Sequence, residues 1–353
     1  MKLTVAGDNR SRRSGIVLDV AVRVPRTHEG RGDVQHKADS ERAAVVGAGS
    51  IGTSWAIVFA RAGLEVALHE PDESRRAAAL DEIDSRLADL AEFGLIDEAP
   101  GALIGRITMH HAIADAVAGA HWVQESAPEI LDVKRQVVAE LVRLTGEGTV
   151  VASSTSTMPV SNILTDPAAR RRCVVAHPGN PPTLLSVVEI VPAPETARET
   201  IEHAEAFFRR VGMSPVVLGR EIEGFAFNRL QGALMREAYC LVRDGVVRPG
   251  DIDRLVREGM GLRWSFIGPF ETIDLNIRGG IGVHAERLGE AYRRMGVERG
   301  QNDPWTPGLV QRVVEARRAE MPLERWNERR RWRDRMLMSL LRAKREALAR
   351  FGA

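Results

Sequence analysis

The chain has 353 residues, of which 44% are hydrophobic and 27% are charged, a balance that is typical of globular proteins and excludes bulk disorder. Its 49 Lys and Arg residues nearly match its 48 Asp and Glu residues, for a formal net charge of +1, which argues against a chain built mainly to bind nucleic acid or a membrane surface. The only cysteines, Cys173 and Cys240, are too few for a disulfide framework, and no segment reaches the roughly 18 apolar residues of a membrane helix, so a soluble, cytoplasmic protein is expected.

Residues 1–41 differ from the rest of the chain. They are polar and turn-prone apart from one short apolar stretch, Ile16–Val24, which Asp19 and Arg23 interrupt. This stretch is too short and too charged for a signal-peptide core, and six acidic residues in the segment argue against a mitochondrial presequence. The favoured interpretation is a disordered extension, or a start codon placed too early; a regulatory or pairing arm is the alternative.

From Ala43 onward, short apolar runs alternate with helical periodicity. The first unit is a strand at 43–46, a helix with an apolar stripe from Ile51 to Ala62, and a strand at 65–69. Further strands are predicted at 122–124, 149–152, 174–176 and 187–191. Helical segments lie between several of these strands, so the sequence predicts an α/β fold of the Rossmann type, with a doubly wound, mostly parallel sheet.

After about residue 222 the apolar pattern is helical to the end of the chain. A long helix is predicted around 230–241, and Pro249–Asp251 is predicted as a turn whose aspartate caps the next helix. We therefore expect a Rossmann domain over 42–221 and an all-helical C-terminal domain over 222–353.

A glycine-rich motif, Gly47-Ala48-Gly49-Ser50-Ile51-Gly52, follows the first strand and opens the first helix. In this context GxGxxG predicts a dinucleotide site, because the glycines allow a tight turn, a close approach of the diphosphate and close helix packing. Glu70 ends the second strand, 23 residues after Gly47 (70 − 47). A carboxylate there accepts hydrogen bonds from ribose hydroxyls and repels a 2′-phosphate, so NAD is the expected cofactor.

A candidate catalytic base, His177, ends the strand at 174–176, where open α/β sheets place their ligands. Glu189 lies twelve residues later (189 − 177) on the next predicted strand. If the two strands pair, the carboxylate can reach the imidazole and stabilise its protonated form. A histidine that serves only in packing is the alternative. Neither cysteine has metal-ligand spacing to a histidine, and no metal site is predicted.

Four segments carry a resemblance to a known family: Ser153–Pro159, His177–Pro182, Val188–Val191 and Gly224–Leu230. Together with the first strand and loop, they resemble the motifs of the 3-hydroxyacyl-CoA dehydrogenase superfamily. Within it, the segment from Glu258 to Pro269 is similar to the lambda-crystallin / L-gulonate 3-dehydrogenase branch. The resemblance extends from about residue 43 to the C-terminus, and it implies a homodimer formed through the helical domain.

The resemblance implies a catalytic tetrad. His177 would deprotonate the C3 hydroxyl of the substrate as hydride passes to the nicotinamide, and Glu189 would orient His177. Ser156 and Asn228 would hydrogen-bond the reacting oxygen. The further residues implied near the cofactor or the substrate are Glu129, Lys134 and Asn180.

The chain differs from acyl-CoA dehydrogenases at two places. It has Pro178-Gly179 where those enzymes have two aromatic residues, and it has Arg263 in the helical region where they lack an arginine. A guanidinium can bind a carboxylate with two hydrogen bonds, so Arg263 is a candidate substrate clamp; a surface or interface arginine is the alternative.

The expected reaction is NAD-dependent oxidation of the C3 hydroxyl of a small L-3-hydroxy acid, with L-gulonate preferred. An L-3-hydroxyacyl-CoA or carrier-bound substrate and a carnitine-type substrate are the enzymatic alternatives. A structural, crystallin-like NADH-binding protein is the non-enzymatic one.

The C-terminal residues 308–353 hold thirteen Lys or Arg residues and six Asp or Glu residues. A nucleic-acid patch or a site for CoA phosphates is one interpretation. We favour the solvent-facing and subunit-facing side of terminal helices, since acidic residues intersperse the run and no nucleic-acid motif accompanies it.

Overall fold

The computed structural model describes residues 41–265, 268–276, 280–300 and 322–351, together with residues 308 and 319. The extension predicted over 1–41 lies outside the described residues, apart from Glu41. Everything described belongs to one structural unit, Ser40–Ala353.

Eight strands form one sheet in the order β3-β2-β1-β4-β5-β6-β7-β8. The strands are β1 (Arg42–Val46), β2 (Glu65–His69), β3 (Ile107–His110), β4 (Trp122–Glu125), β5 (Val150–Ser153), β6 (Cys173–Pro178), β7 (Val187–Pro192) and β8 (Ser214–Val217). Among the described residues there are seven strand pairs, of which only β6 with β7 is antiparallel. The strand order reverses between β1 and β4, and such a switch point is where doubly wound sheets bind ligands.

The six strands predicted from the sequence are all present, whereas β3 and β8 were not predicted. In β3 only Ile107 is buried, and β8 begins Ser214-Pro215 and is largely exposed. Both are edge strands of the sheet. An edge strand is covered less completely than a central one, so it lacks the continuous apolar run by which the inner strands are recognised.

Helices cover both faces of the sheet. They are α1 (Ser50–Arg61), α2 (Glu73–Glu92), α3 (Pro100–Ile104), α4 (Ile113–Val117), α5 (Leu131–Leu144), α6 (Val160–Ile163), α7 (Pro167–Arg170) and α8 (Arg198–Arg210). Side chains of β1 alternate between two cores: Val45 packs with Trp55 of α1, and Val46 packs with Val138 and Leu141 of α5. This alternation buries β1 on both faces.

After β8 the described chain is helical. Its elements are α9 (Phe227–Arg243), α10 (Pro249–Leu255), a π-helix (Val256–Met260), α11 (Gly261–Trp264), α12 (Pro269–Asn276), α13 (Gly280–Arg299), a 3₁₀ turn (Leu323–Arg325) and α14 (Trp326–Phe351). The Rossmann-type sheet followed by an all-helical region confirms the predicted fold class. No described helix is both long enough and apolar enough to cross a membrane.

The predicted turn at 249–251 is wrong in detail. Pro249 occupies the first position of α10 and Arg248 is the N-cap residue, so Asp251 lies inside the first helical turn. Proline suits the first helical position, because its missing N–H would have no intrahelical partner there.

In α14, Met338 is buried against the larger core and Leu341 packs beside it, while Trp332 is exposed. The described part of this helix therefore presents one apolar edge to the Rossmann domain.

Candidate active site

The loop between β1 and α1 has the backbone geometry of a dinucleotide-binding turn. Gly47 adopts φ = +103°, a region that favours glycine, and a Cβ there would lie 2.6 Å from the backbone oxygen of Ser126. A Cβ on Gly52 would overlap the carbonyl oxygen of Gly47. A Cβ on Gly49, in contrast, would meet no protein atom within 4 Å. Protein packing thus requires glycine at two of the three positions, and the third leaves one side of the loop open to a ligand.

The open side of the loop lies at the start of α1. Gly49 is the N-cap residue, Ser50 and Ile51 are the first two helical residues, and the first turn contains no acidic side chain. The free N–H groups and partial positive charge at a helix start bind phosphate oxygens. These residues therefore fit the diphosphate of a dinucleotide cofactor.

Glu70 follows β2 and is 6% exposed. Its carboxylate accepts hydrogen bonds from the backbone N–H groups of Ala48 (3.4 Å) and Asp72 (3.2 Å). These bonds fix a negative charge directly beside the loop, where it can accept hydrogen bonds from ribose hydroxyls. A 2′-phosphate at the same place would be repelled, so the geometry suits NAD.

His177 and Glu189 lie opposite each other in the antiparallel pair of β6 and β7. The imidazole Nδ1 is 2.8 Å from Oε2 of Glu189, and both side chains are buried. An ionised carboxylate only accepts hydrogen bonds, so Nδ1 carries the hydrogen and donates it. In neutral His177 this leaves the lone pair on Nε2, which is the arrangement that a general base requires.

The other oxygen of Glu189 faces the start of the helical region. Oε1 accepts hydrogen bonds from the backbone N–H groups of Ala226 (2.8 Å) and Phe227 (2.9 Å). Burial alone would raise the pKa of the Glu189 carboxyl, but the hydrogen bonds from His177 and from these two N–H groups outweigh it and hold the pKa below its ordinary value. Glu189 is therefore ionised at neutral pH and connects the sheet to α9.

Phe225 precedes this helix in an unusual backbone conformation. Its φ of +50° is rare for a bulky residue, and its side chain is fully buried. The Phe225 ring centroid lies 5.6 Å from that of His177, and the Phe227 ring lies 6.2 Å from it. The two aromatic rings restrict the His177 ring to the orientation in which it meets Glu189.

Ser156 and Asn228 are also brought together. The Asn228 side-chain amide donates to the backbone oxygen of Ser156 over 2.7 Å, across the junction of the sheet domain and α9. The Ser156 hydroxyl and N–H both donate to Oε1 of Glu129, at 3.0 and 2.8 Å. An amide NH₂ has two hydrogens, so the second hydrogen of Asn228 can be donated to a substrate oxygen.

Glu129 is held by several donors. Besides Ser156, the Thr155 hydroxyl donates to it over 2.8 Å, and the Lys134 ammonium lies 3.4 Å from its second oxygen. Burial would raise the pKa of the Glu129 carboxyl, but the hydrogen bonds from Thr155 and Ser156 and the charge of Lys134 lower it below its ordinary value. Glu129 therefore carries a negative charge beside Ser156.

Lys134 is 1% exposed, and its ammonium contacts three acceptors. They are the Glu125 carboxylate (3.0 and 3.2 Å), the backbone oxygen of Ala127 (3.1 Å) and Glu129. An ammonium has three hydrogens, so these partners account for all of them. Lys134 thus supports the loop that carries Glu129, and any influence on a bound cofactor passes through that loop.

The two remaining predicted substrate residues are exposed. Asn180 lies three residues after His177, and Arg263 lies in α11 of the helical region, where it donates to Oδ1 of Asn276 over 3.3 Å. The structure thus pairs His177 with Glu189 and Ser156 with Asn228, and Glu189 holds the backbone next to Asn228. Arg263 contacts a different part of the described chain. Cys173 is buried, and burial raises the pKa of its thiol to about 12, which disfavours the reactive thiolate.

Sequence reasoning missed three features of this site: the Glu125–Lys134 ion pair, the contact of Glu129 with Ser156, and the N–H groups that hold Glu189. The first had a detectable signal, since Glu125 ends an apolar strand and Lys134 follows in the first turn of the next helix. The other two depend on how separate elements pack.

A doubly wound sheet with this loop, and with a buried His–Glu pair where β6 ends, defines an NAD-dependent dehydrogenase. The chain belongs to the 3-hydroxyacyl-CoA dehydrogenase family: the NAD-binding domain of that family matches residues 42–222, and its C-terminal domain matches residues 224–322. The predicted family and cofactor are confirmed, and the protein is an oxidoreductase that acts on CH–OH groups.

The chain is similar to several known proteins. It is 40% identical to a lambda-crystallin homolog of Bos taurus over 305 residues, which is 85% of this chain and 95% of that protein. It is 41% identical to an L-carnitine dehydrogenase of Streptomyces griseus over 250 residues, 71% of this chain and 73% of that one. A solved structure of an NAD⁺-dependent dismutase, a 5-formyl-3-hydroxy-2-methylpyridine 4-carboxylic acid 5-dehydrogenase, matches with a TM-score of 0.73 at 27% identity and covers 86% of this chain and 98% of that one.

Proposed function

We propose that the protein oxidises the C3 hydroxyl of a small L-3-hydroxy acid with NAD⁺, and that L-gulonate, which gives 3-dehydro-L-gulonate, is the first substrate to test. The observation that carries the proposal is the 2.8 Å contact between Nδ1 of His177 and Glu189, since it leaves Nε2 as the base. NAD⁺, when bound, accepts the hydride from C3.

The residues of the chain have separate roles in this reaction. His177 takes the hydroxyl proton at Nε2, and the ionised Glu189 stabilises the imidazolium that results. Asn228 donates the second hydrogen of its amide to the reacting oxygen, and the Ser156 hydroxyl turns from Glu129 to donate to the same oxygen, so that together they position C3. Before the substrate binds, the carboxylate of Glu129 holds the Ser156 hydroxyl beside the site by accepting its hydrogen.

Arg263 supports a free acid as the substrate. Its guanidinium is exposed and donates to the neutral amide of Asn276, so this contact leaves its positive charge available to a carboxylate. Gly179 also favours a substrate other than an acyl-CoA: a Cβ there would lie 2.9 Å from Val187 and 3.0 Å from Leu185, so an aromatic side chain does not fit at this position.

A panel of substrates tests this proposal. NAD⁺ reduction is measured with L-gulonate, L-3-hydroxybutyrate, L-carnitine and 3-hydroxybutyryl-CoA. We expect turnover of a free acid, and turnover of the CoA ester alone would contradict the free-acid proposal. The L-carnitine arm addresses the second candidate, which the carnitine dehydrogenase relative favours. A protein that binds NADH but turns over none of the four would support the crystallin-like alternative instead.

The variant Arg263→Met tests the carboxylate clamp. Loss of the guanidinium is expected to raise KM for the acidic substrate about tenfold or more, the effect of one charge-assisted contact, while the Kd for NADH stays unchanged. Equal changes in both constants, or a change in neither, would remove Arg263 from the site.

We further propose that residues 42–221 form the NAD-binding domain, that residues 222–353 form the substrate and dimerisation domain, and that the protein is a cytoplasmic homodimer. Exposed large apolar side chains on the helical region support dimerisation, since a subunit interface would bury such apolar surface. Leu230 is 69% exposed, Leu255 63% and Phe270 79%. Sedimentation equilibrium measures the mass, and a monomer at micromolar concentration would contradict this assembly.

A further inference from the structure

A chain of buried and half-buried polar side chains crosses the sheet beneath the dinucleotide loop. Its first member is Gln124 of β4, whose Oε1 accepts a hydrogen bond from the Trp122 indole N–H over 3.1 Å. An indole N–H can only donate, so this contact fixes which end of the amide is the oxygen. The Gln124 NH₂ group must therefore face the other way, where Ser154 lies 2.8 Å from it.

Ser154 receives two hydrogen bonds from groups that can only donate. One comes from the NH₂ group of Gln124, and the other comes from the Trp55 indole N–H of α1 over 3.0 Å. These bonds occupy both lone pairs of the Ser154 oxygen. Its third neighbour is the Ser126 hydroxyl, 3.0 Å away, so the Ser154 hydroxyl donates to Ser126.

The direction of this chain leaves the Ser126 hydroxyl hydrogen available. Ser126 accepts from Ser154, and within the described residues its hydroxyl has no other hydrogen-bond partner. The residue is half-buried, so the hydroxyl can reach a ligand. Two indole groups and an amide, all in the core, thus determine that the Ser126 hydroxyl accepts from Ser154 and can donate to a ligand.

Ser126 lies where the cofactor must pass. It is the first residue after β4, at the switch point between β1 and β4, and its N–H donates to the Val46 oxygen over 2.7 Å. Its backbone oxygen faces Gly47, and its Cβ lies 3.5 Å from the position of a Cβ on Gly52. The side chain therefore adjoins the loop whose open side fits the diphosphate.

We propose that the Ser126 hydroxyl is a cofactor-binding group: it donates a hydrogen bond to an oxygen of the nicotinamide-side phosphate of the diphosphate or of the adjoining nicotinamide ribose. The inference rests on NAD binding and not on the identity of the substrate. It is tested in the absence of substrate, so its failure leaves the proposed reaction untouched.

The test uses two substitutions of Ser126 and one matched control. Ser126→Ala removes the hydroxyl, and Ser126→Cys replaces it with a thiol, which is somewhat larger and is a poor donor. Ser186→Ala removes an exposed serine hydroxyl at the start of β7, which contacts Ser214. Dissociation constants for NADH are measured by fluorescence, and those for ADP-ribose, ADP and AMP by competition; thermal unfolding reports whether each variant is folded.

Both Ser126 variants are expected to bind NADH and ADP-ribose about five- to tenfold more weakly, which is the effect of one lost hydrogen bond. Their affinity for AMP is expected to stay unchanged, and the Ser186→Ala control is expected to bind all four ligands like the wild type. A matching loss for ADP assigns the bond to the diphosphate, and wild-type affinity for ADP assigns it to the nicotinamide ribose. Three results would overturn the proposal: an NADH affinity that stays within about twofold of the wild type, an equal loss for AMP, or wild-type affinity in Ser126→Cys.

Discussion

Replacing Glu189 with glutamine is the most informative single change, because it keeps the shape of the site and reverses its hydrogen bonding. One oxygen of Glu189 accepts from the N–H groups of Ala226 and Phe227, and the other accepts from Nδ1 of His177. Glutamine has one acceptor oxygen, and the backbone N–H groups can only donate. The amide oxygen must therefore face them, which turns the NH₂ group toward His177.

The consequence is the wrong tautomer of His177. With an NH₂ donor beside it, Nδ1 must accept, so the ring hydrogen moves to Nε2, where the base needs its lone pair. A general base accelerates a reaction roughly 10²- to 10⁴-fold. The expected loss in kcat for Glu189→Gln covers that range, about 2.7–5.4 kcal/mol in activation free energy, with NADH affinity unchanged.

The assay is single-turnover hydride transfer followed by NADH absorbance, with the best substrate of the panel. Glu195→Gln is the matched control, since it neutralises a nearby carboxylate that pairs with Arg170 and contacts no member of the tetrad. A rate loss below about tenfold in Glu189→Gln, or one no larger than in the control, would refute the assignment of His177 Nε2 as the base.

The same variant has a predicted pH dependence of stability. The pKa of the Glu189 carboxyl lies below its ordinary value of 4.5 in the folded protein, so ionised Glu189 stabilises the fold above that pH and the contribution is lost as the pH falls through the folded pKa. Denaturant unfolding of the wild type and Glu189→Gln is expected to show a stability difference at pH 7 that shrinks below about pH 4.5. A difference that grows on acidification would contradict the sign.

Three further changes give distinct outcomes. Gly49→Ala should keep wild-type stability and weaken NADH binding at least about tenfold, whereas Gly52→Ala should prevent the loop from forming. Thermal unfolding and NADH fluorescence distinguish these two outcomes. Equal stability of both variants would contradict the packing argument. Lys134→Met leaves the buried Glu125 without its counter-charge and should cost roughly 3–5 kcal/mol of unfolding free energy in urea; a loss below about 1 kcal/mol would mean that the pair is not needed. Glu70→Ala should lower the ratio of the Kd for NADPH to that for NADH, and an unchanged ratio would remove Glu70 from the ribose site.

The inner sheet could be predicted because burial on both faces produces a continuous apolar run, as in the strand that leads to His177. The edge strands could not, because solvent replaces packing at their outer sides. In β8, Val216 and Val217 are 48% and 40% exposed. The outer side of this strand is not packed against the core, so its sequence lacks the continuous apolar run of a buried strand.

The site could be predicted only where its members are close in sequence or share a motif. The spacing of His177 and Glu189 fits one hairpin, and the structure brings them into contact. The N–H groups that hold Glu189 lie 37 and 38 residues away, in the chain that crosses to the helical region. No local pattern encodes this contact, because it exists only after the sheet and α9 have packed.

We propose that His177 is the base for oxidation of a C3 hydroxyl. The most direct measurement is the rate of hydride transfer in the first turnover of His177→Gln. The Kd of the same variant for NADH is measured as well. We expect the variant to bind NADH with wild-type affinity and its rate of hydride transfer to fall about 10²-fold or more. Hydride transfer at the wild-type rate, in a variant that binds NADH normally, would contradict it.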